Sequence, residues 1–277
     1  MTTFTALGDS ITLGIGDPAG RSGGRRGWRG WAALLADGLP EPRLHILATS
    51  GARMADVEQD QLPAALALRP DLASLVIGIN DTLRADFSLD AFAAAATNAV
   101  GSLHAAGATV LTMRLPDPGQ MLGIPGVLAR PLARRAREIN AVMDGLHARH
   151  GTVHFDAARD AQTYDRAMWA ADRLHPSERG HRHVARRFHG LLAEAGHPVG
   201  AEPSADPENP PPGRLAVAGW LATKGTAWVV RRSTDLVPAL VAMAWAEYRS
   251  GAGDGGEGGL AVDPLTAAQP PVAQPSG

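Results

Sequence analysis

Cysteine is absent from the sequence, which removes disulfides, thiolate catalysis and cysteine-ligated zinc together. An excess of one charge is missing too. The formal net charge is −2, so the chain has no electrostatic footprint for nucleic acid and no such partner is expected. Lysine is reduced to Lys224, every other one of the 26 basic residues being arginine. A G-x-x-x-x-G-K-[ST] phosphate loop is therefore excluded. No uncharged apolar run reaches the roughly 18–20 residues of a membrane span. The first strand-like segment begins at Thr3 with no charged region or apolar leader ahead of it. The expectation is a chain without a secretory signal, located in the cytoplasm.

What is present is an ordinary globular composition, 45% hydrophobic and 19% charged, at a length that suits one α/β domain with an appendage. Strand-like segments occur at 3–7, 44–48, 72–77, 109–113 and 152–155. The third is nearly all apolar, as a strand covered on both faces must be. Between and after them lie segments of helical spacing: one from Trp31, stopped by Gly38 and Pro40, then 54–68, 89–106, 128–150 and 177–195. This alternation predicts an α/β fold, specifically a flavodoxin-like three-layer α/β/α domain around a five-stranded parallel sheet of order 2-1-3-4-5. The domain is expected over 1–197. A proline-rich linker is expected over 198–213, a helical C-terminal extension over 214–249 and a disordered Gly- and Pro-rich tail over 250–277. The extension carries Trp220, Trp228 and Trp245 and is expected to dock on the main domain, or else to make weak contact with a membrane surface.

Three of the predicted strands end in polar or glycine residues: Gly8-Asp9-Ser10 after the first, Thr49-Ser50-Gly51 after the second and Gly78-Ile79-Asn80-Asp81 after the third. In the proposed order these strands are neighbours, so Ser10, Gly51 and Asn80 converge on the crevice at the carboxyl edge of the sheet. A serine hydroxyl needs a general base to become a nucleophile. His175 in Asp172-Arg173-Leu174-His175-Pro176 is the best candidate. Asp172, three residues ahead of it, is placed to fix the imidazole tautomer. The amides of Ser10 and Gly51 and the Asn80 side chain are then the donors for a developing oxyanion. Asp9 and Asp81 read as supporting residues, a structural hydrogen-bonder and a helix cap or loop brace respectively.

Gly8-Asp9-Ser10, Ser50-Gly51, Gly78-Ile79-Asn80-Asp81 and Asp172-Arg173-Leu174-His175 together resemble the four blocks of the SGNH (GDSL) hydrolases, over roughly residues 3 to 195. The resemblance implies hydrolysis of acyl esters or thioesters through an acyl-serine, without metal or cofactor, on a small-molecule acyl ester. By that resemblance Ser10 is the nucleophile, Gly51 and Asn80 are oxyanion donors, His175 is the base and Asp172 orients it. An asparagine is common a few residues ahead of the second-block glycine, and here that stretch reads Leu47-Ala48-Thr49-Ser50. Short-chain esters, lysophospholipids and thioesters all remain open as substrates. The alternative is a catalytically inactive module that binds a ligand or a membrane.

Rival motifs are weaker. Gly14-Ile15-Gly16-Asp17-Pro18-Ala19 loosely matches a dinucleotide-binding loop, but Asp17 sets negative charge where a pyrophosphate would lie and Pro18 lacks an amide to hold it. His181, His183 and His189 share one predicted helix, yet His181 and His183 are two apart and so on different faces, and no metal site is expected. Trp28 and Trp31 are expected to pack the first long helix, the alternative being that they line an acyl pocket, and Arg134, Arg135 and Arg137 to form a solvated helix face.

Overall fold

The structure, a computed structural model, describes residues 1–18, 27–123 and 126–209, and beyond these only 241, 245 and 249. The expected tail over 250–277 lies outside the described residues, and so does the extension over 214–249 apart from Val241, Trp245 and Arg249.

Five parallel strands form one sheet: β1 (Thr2–Gly8), β2 (Pro42–Ile46), β3 (Leu72–Val76), β4 (Thr109–Met113) and β5 (Val153–Phe155), in the order β2-β1-β3-β4-β5. Parallel neighbours require crossovers, and the helices supply them. These are α1 (Ser10–Leu13), α2 (Gly30–Asp37), α3 (Met54–Asp56), α4 (Leu62–Ala67), α5 (Ile79–Thr82), α6 (Leu89–Ala105), α7 (Pro118–Leu122), α8 (Gly126–His150) and α9 (Glu178–Glu194). Alternating side chains of β3 separate the two cores. Ala73 and Leu75 pack with residues of α4, α6 and α8, whereas Leu72 and Val76 pack with α2 and α9. Trp31, fully buried, packs with its ring tilted against Phe188 of α9, centroids 5.1 Å apart, whereas Trp28, just ahead of α2, is exposed and does not pack that helix as expected.

The observed elements differ from the expected ones where local chemistry intervenes. β2 starts at Pro42, a residue that an edge strand tolerates because no neighbour needs its amide. Leu47 and Ala48 no longer pair in the ladder; their amides share the carbonyl of Ala6 instead. The helix expected over 54–68 is split by a π-helical turn, Val57–Gln61. Two connections read as plain loops contain short helices: α7, whose first turn is capped by the Asp117 side chain, and 3₁₀ turns at Ala161–Tyr164 and Arg166–Met168. Arg135 departs from the solvated face assigned to it. Its guanidinium donates to the carbonyls of Thr82 and Arg84 and lies over the Phe87 ring, tying α8 to the turn after α5.

A cluster of charges joins Asp17 and Arg29, on either side of positions 19–26, to the segment after α9. Arg29 pairs with fully buried Asp17 at 3.1 Å, with Glu178 at 2.9 Å and with Glu208 at 2.7 Å, and Arg182 pairs with the same two glutamates. Burial works against the Glu178 charge. The amides of Glu208 and Asn209, the Asn209 side chain and Arg182 outweigh it and hold this carboxyl down at about 2. Within the stretch expected as a linker, residues 198–209 run as irregular chain fixed to the domain: the Gly200 amide donates to Gly38 and Arg186 pairs with Glu202. Asp17, which argued against a dinucleotide loop, is thus the anchor of its own turn. Replacing Arg29 with alanine leaves Asp17 and Glu178 without a common partner. This variant is expected to lose about 3–5 kcal/mol of stability, read from the denaturant midpoint, and a midpoint equal to wild type would contradict the anchoring role.

Candidate active site

β1 and β3 are adjacent, and the chain leaves them in the same direction. Their carboxyl ends therefore carry Asp9-Ser10 and Ile79-Asn80 side by side, at the switch point of this sheet order. Asp9 caps α1, its Oδ1 accepting the Ile11 amide at 2.9 Å. Ser10 is the first residue of that helix, and a first-turn amide has no acceptor within the helix. Gln61, in the π-helical turn, clamps the strand end: its amide group exchanges two hydrogen bonds of 2.9 Å with the Gly8 backbone. Gln61 was not singled out from sequence. A glutamine on the otherwise apolar face of the 54–68 segment was the available signal.

His175 arrives from the far end of the domain, in the turn that precedes α9. Asp172 shapes that turn. Its Oδ1 accepts the amides of Leu174 and His175 at 3.0 and 3.1 Å, and Arg173 takes a left-handed conformation with φ 56°. The other oxygen, Oδ2, lies 2.7 Å from His175 Nδ1, and His175 Nε2 lies 3.0 Å from Ser10 Oγ. Burial would raise the Asp172 pKa, but the hydrogen bond and charge of His175, with the two amides, leave it below the ordinary value. An ionised carboxylate only accepts. Nδ1 must then carry a hydrogen, and in the neutral ring Nε2 is left to accept the Ser10 hydroxyl proton. The structure brings Ser10, His175 and Asp172 into one hydrogen-bonded chain across 165 positions of sequence.

Gly51 and Asn80 line the same small pocket, about 70 Å³, together with Ser10, Ser50 and His175. Gly51 has φ 83°, which L-side chains rarely adopt, although a Cβ there would meet nothing. Its glycine is needed for the turn and not for space. Asn80 differs from expectation in one respect. Its Nδ2 donates to Asp9 Oδ2 at 3.2 Å and to the Ala52 carbonyl at 3.1 Å, so its amino hydrogens already have acceptors before any ligand enters. A buried amide must satisfy its donors within the protein.

The supporting carboxylates are both destabilised as anions. Asp9 is 1% exposed, and burial pushes its pKa up to about 7 against the Ile11 amide and the nearby His175. Asp81 braces the loop after β2 by accepting the Met54 amide at 3.2 and 3.3 Å, and burial raises it to about 6. The three histidines of α9 go to different partners. His181 accepts the Trp31 amide and donates to the Ile15 carbonyl, His183 meets Asp160 and His189 meets the Gly200 carbonyl. Among the described residues no helix is long and apolar enough to cross a membrane.

Solved structures of the same fold include Axe2, an acetylxylan esterase from Geobacillus stearothermophilus. It has 23% identity and a TM-score of 0.54, over 71% of this chain and 95% of that one. A lipase/acylhydrolase from Enterococcus faecalis gives 18% identity and a TM-score of 0.56, over 76% of this chain and all of that one. TesA gives 23% and 0.53, over 69% and 98%. A comparison with curated proteins returned no match. The model of the GDSL-like lipase/acylhydrolase family matches residues 6–183, a span that runs from the strand before Ser10 past His175, and the chain belongs to that family.

Proposed function

We propose that the protein is a serine hydrolase that cleaves carboxylic esters through an acyl-serine intermediate. The observation that carries this reading is the Ser10–His175–Asp172 hydrogen-bonded chain at the carboxyl edge of the sheet. His175 Nε2 takes the hydroxyl proton as Ser10 Oγ attacks the ester carbonyl, and the imidazolium that forms is stabilised by Asp172. The carbonyl oxygen becomes an oxyanion between the Ser10 amide, the Gly51 amide and the Asn80 side chain. His175 returns the proton to the leaving alcohol, and the same base then activates a water that frees the acid and regenerates Ser10.

Asn80 reaches the oxyanion by sharing a hydrogen that it otherwise gives to Asp9 or Ala52. Asp9 is in this reading a positioning residue. It holds Asn80 beside Ser10 at the cost of a carboxylate kept away from water. That cost has a sign. An acid whose pKa is raised on folding binds its proton more tightly in the folded state, so stability falls as pH climbs from the unfolded value near 4 toward about 7.

Two outcomes are expected. Replacing Ser10 with alanine should lower kcat for a p-nitrophenyl ester by about 10⁴-fold or more with an unchanged circular dichroism spectrum; a variant that keeps wild-type turnover would end the reading. Replacing Asp9 with asparagine should flatten the decline in denaturant midpoint between pH 5 and pH 8. Part of the slope remains through Asp81, whose shift has the same sign. Equal slopes in both proteins would show that Asp9 is not held as described.

A further inference from the structure

The hydrolase reading requires Ser10 Oγ and His175 Nε2 to stay at hydrogen-bond distance, although they belong to elements far apart in sequence. Ser10 opens α1, which is a single helical turn, and one turn has little stability of its own. Its place is therefore set by what holds its two ends. Asp9 caps the front. At the back, the Ile15 amide donates to the Ser10 carbonyl at 3.0 Å, and the Ile15 carbonyl accepts from His181 Nε2 at 3.0 Å. His181 belongs to α9, the helix that the His175 turn enters. A second bridge, besides the Ser10–His175 hydrogen bond itself, thus joins the turn of the nucleophile to the element of the base.

The His181 ring is fully buried and both of its nitrogens are used. Nδ1 faces the Trp31 amide at 3.2 Å, a donor in the first turn of α2 that has no acceptor within the helix. An amide only donates, so Nδ1 accepts and the hydrogen belongs on Nε2, where Ile15 receives it. Burial holds the ring pKa down at about 4, against the Ile15 hydrogen bond and the charge of Asp17 and in concert with His175 and Arg29. The imidazole is neutral at pH 7. Gly16 adds a contact of its own. With φ 106°, it lies so close to the turn after His175 that a Cβ there would collide with the Pro176 carbonyl oxygen. Residues 15 and 16 therefore touch the Ser10 turn on one side and the start of α9 on the other.

We propose that His181 is a positioning residue for the reaction: by fixing the Ile15 peptide it holds the turn that carries Ser10 at hydrogen-bond distance from His175. It acts through Ile15 and takes no proton from the substrate or from Ser10. The proposal rests on the hydrolase reading and adds to it the tie between nucleophile and base.

The test separates the two ring nitrogens, using the full chain and a p-nitrophenyl ester. In His181→Gln the side-chain amide reaches the position of Nε2 and keeps a donor for Ile15, while the Trp31 amide loses its acceptor. In His181→Asn the shorter amide matches Nδ1 and serves Trp31, while Ile15 loses its donor. The asparagine variant should lose about 10²-fold in kcat with KM within about twofold, the effect of a displacement of about 1 Å at the reacting atoms. The glutamine variant should stay within about threefold of wild type in kcat. Denaturant midpoints should fall in both, because each leaves one buried backbone group unpaired. A kcat that follows the midpoint, with the asparagine variant as active as the glutamine one, assigns His181 to stability alone and overturns the proposal. Nitrogen NMR of the histidine rings in wild type at pH 7 decides the matter if either variant fails to fold. A neutral His181 with its hydrogen on Nε2 supports the proposal, and a hydrogen on Nδ1 or a doubly protonated ring overturns it. If wild type hydrolyses no ester, the hydrolase reading fails and this inference with it, whereas hydrolysis by wild type with equal kcat in the two variants defeats the inference alone.

Discussion

A parallel sheet has a single carboxyl edge, and the whole site depends on the chain returning to it. Ser10 and Asn80 reach that edge because β1 and β3 are hydrogen-bonded neighbours running the same way. Gly51 reaches it from the outer strand β2, and His175 from the turn that enters α9 after the sheet is complete. None of these residues is near the others in sequence. Only the strand order makes them neighbours, so the site exists when the whole domain has folded and not before.

Holding the site together has a cost that the structure pays in buried polarity. Asp9, 1% exposed, has its pKa pushed up to about 7 by burial, and in exchange it fixes both the first turn of α1 and the Asn80 amide. Gln61 fixes the strand end from the other side. The turn carrying His175 is built on Asp172, which uses one oxygen for backbone and the other for the ring. Farther out, the Arg29 and Arg182 cluster ties Asp17 and the start of α2 to α9 and the segment after it. Polar contacts thus hold both the hydroxyl's own neighbourhood and the segments at the periphery.

Much of this was legible in the sequence, because it rests on short-range rules. Apolar runs bounded by glycine marked all five strands, and the helices expected over 89–106 and 177–195 begin where the Ser88 and Ser177 side chains accept the Ala91 and Gly180 amides. Asp172 and His175 are three apart, so their hydrogen bond is a local matter. The strand order made Ser10 and Asn80 converge. What escaped was set by tertiary contact. The π turn that aims Gln61 at Gly8 has no sequence pattern of its own, and Arg135 was drawn off the solvated face by carbonyls more than 50 positions away. The acceptors that occupy Asn80, Asp9 and the Ala52 carbonyl, come from two other strand ends and could not be read from its own block.

The central claim is that Ser10 is a nucleophile made reactive by His175. Treating the intact protein with a fluorophosphonate and mapping the modified peptide by mass spectrometry tests it directly. The account predicts a single adduct on Ser10, formed rapidly in wild type and about 10³-fold or more slowly when His175 is alanine. No adduct, an adduct on a different serine, or a rate indifferent to His175 would contradict it.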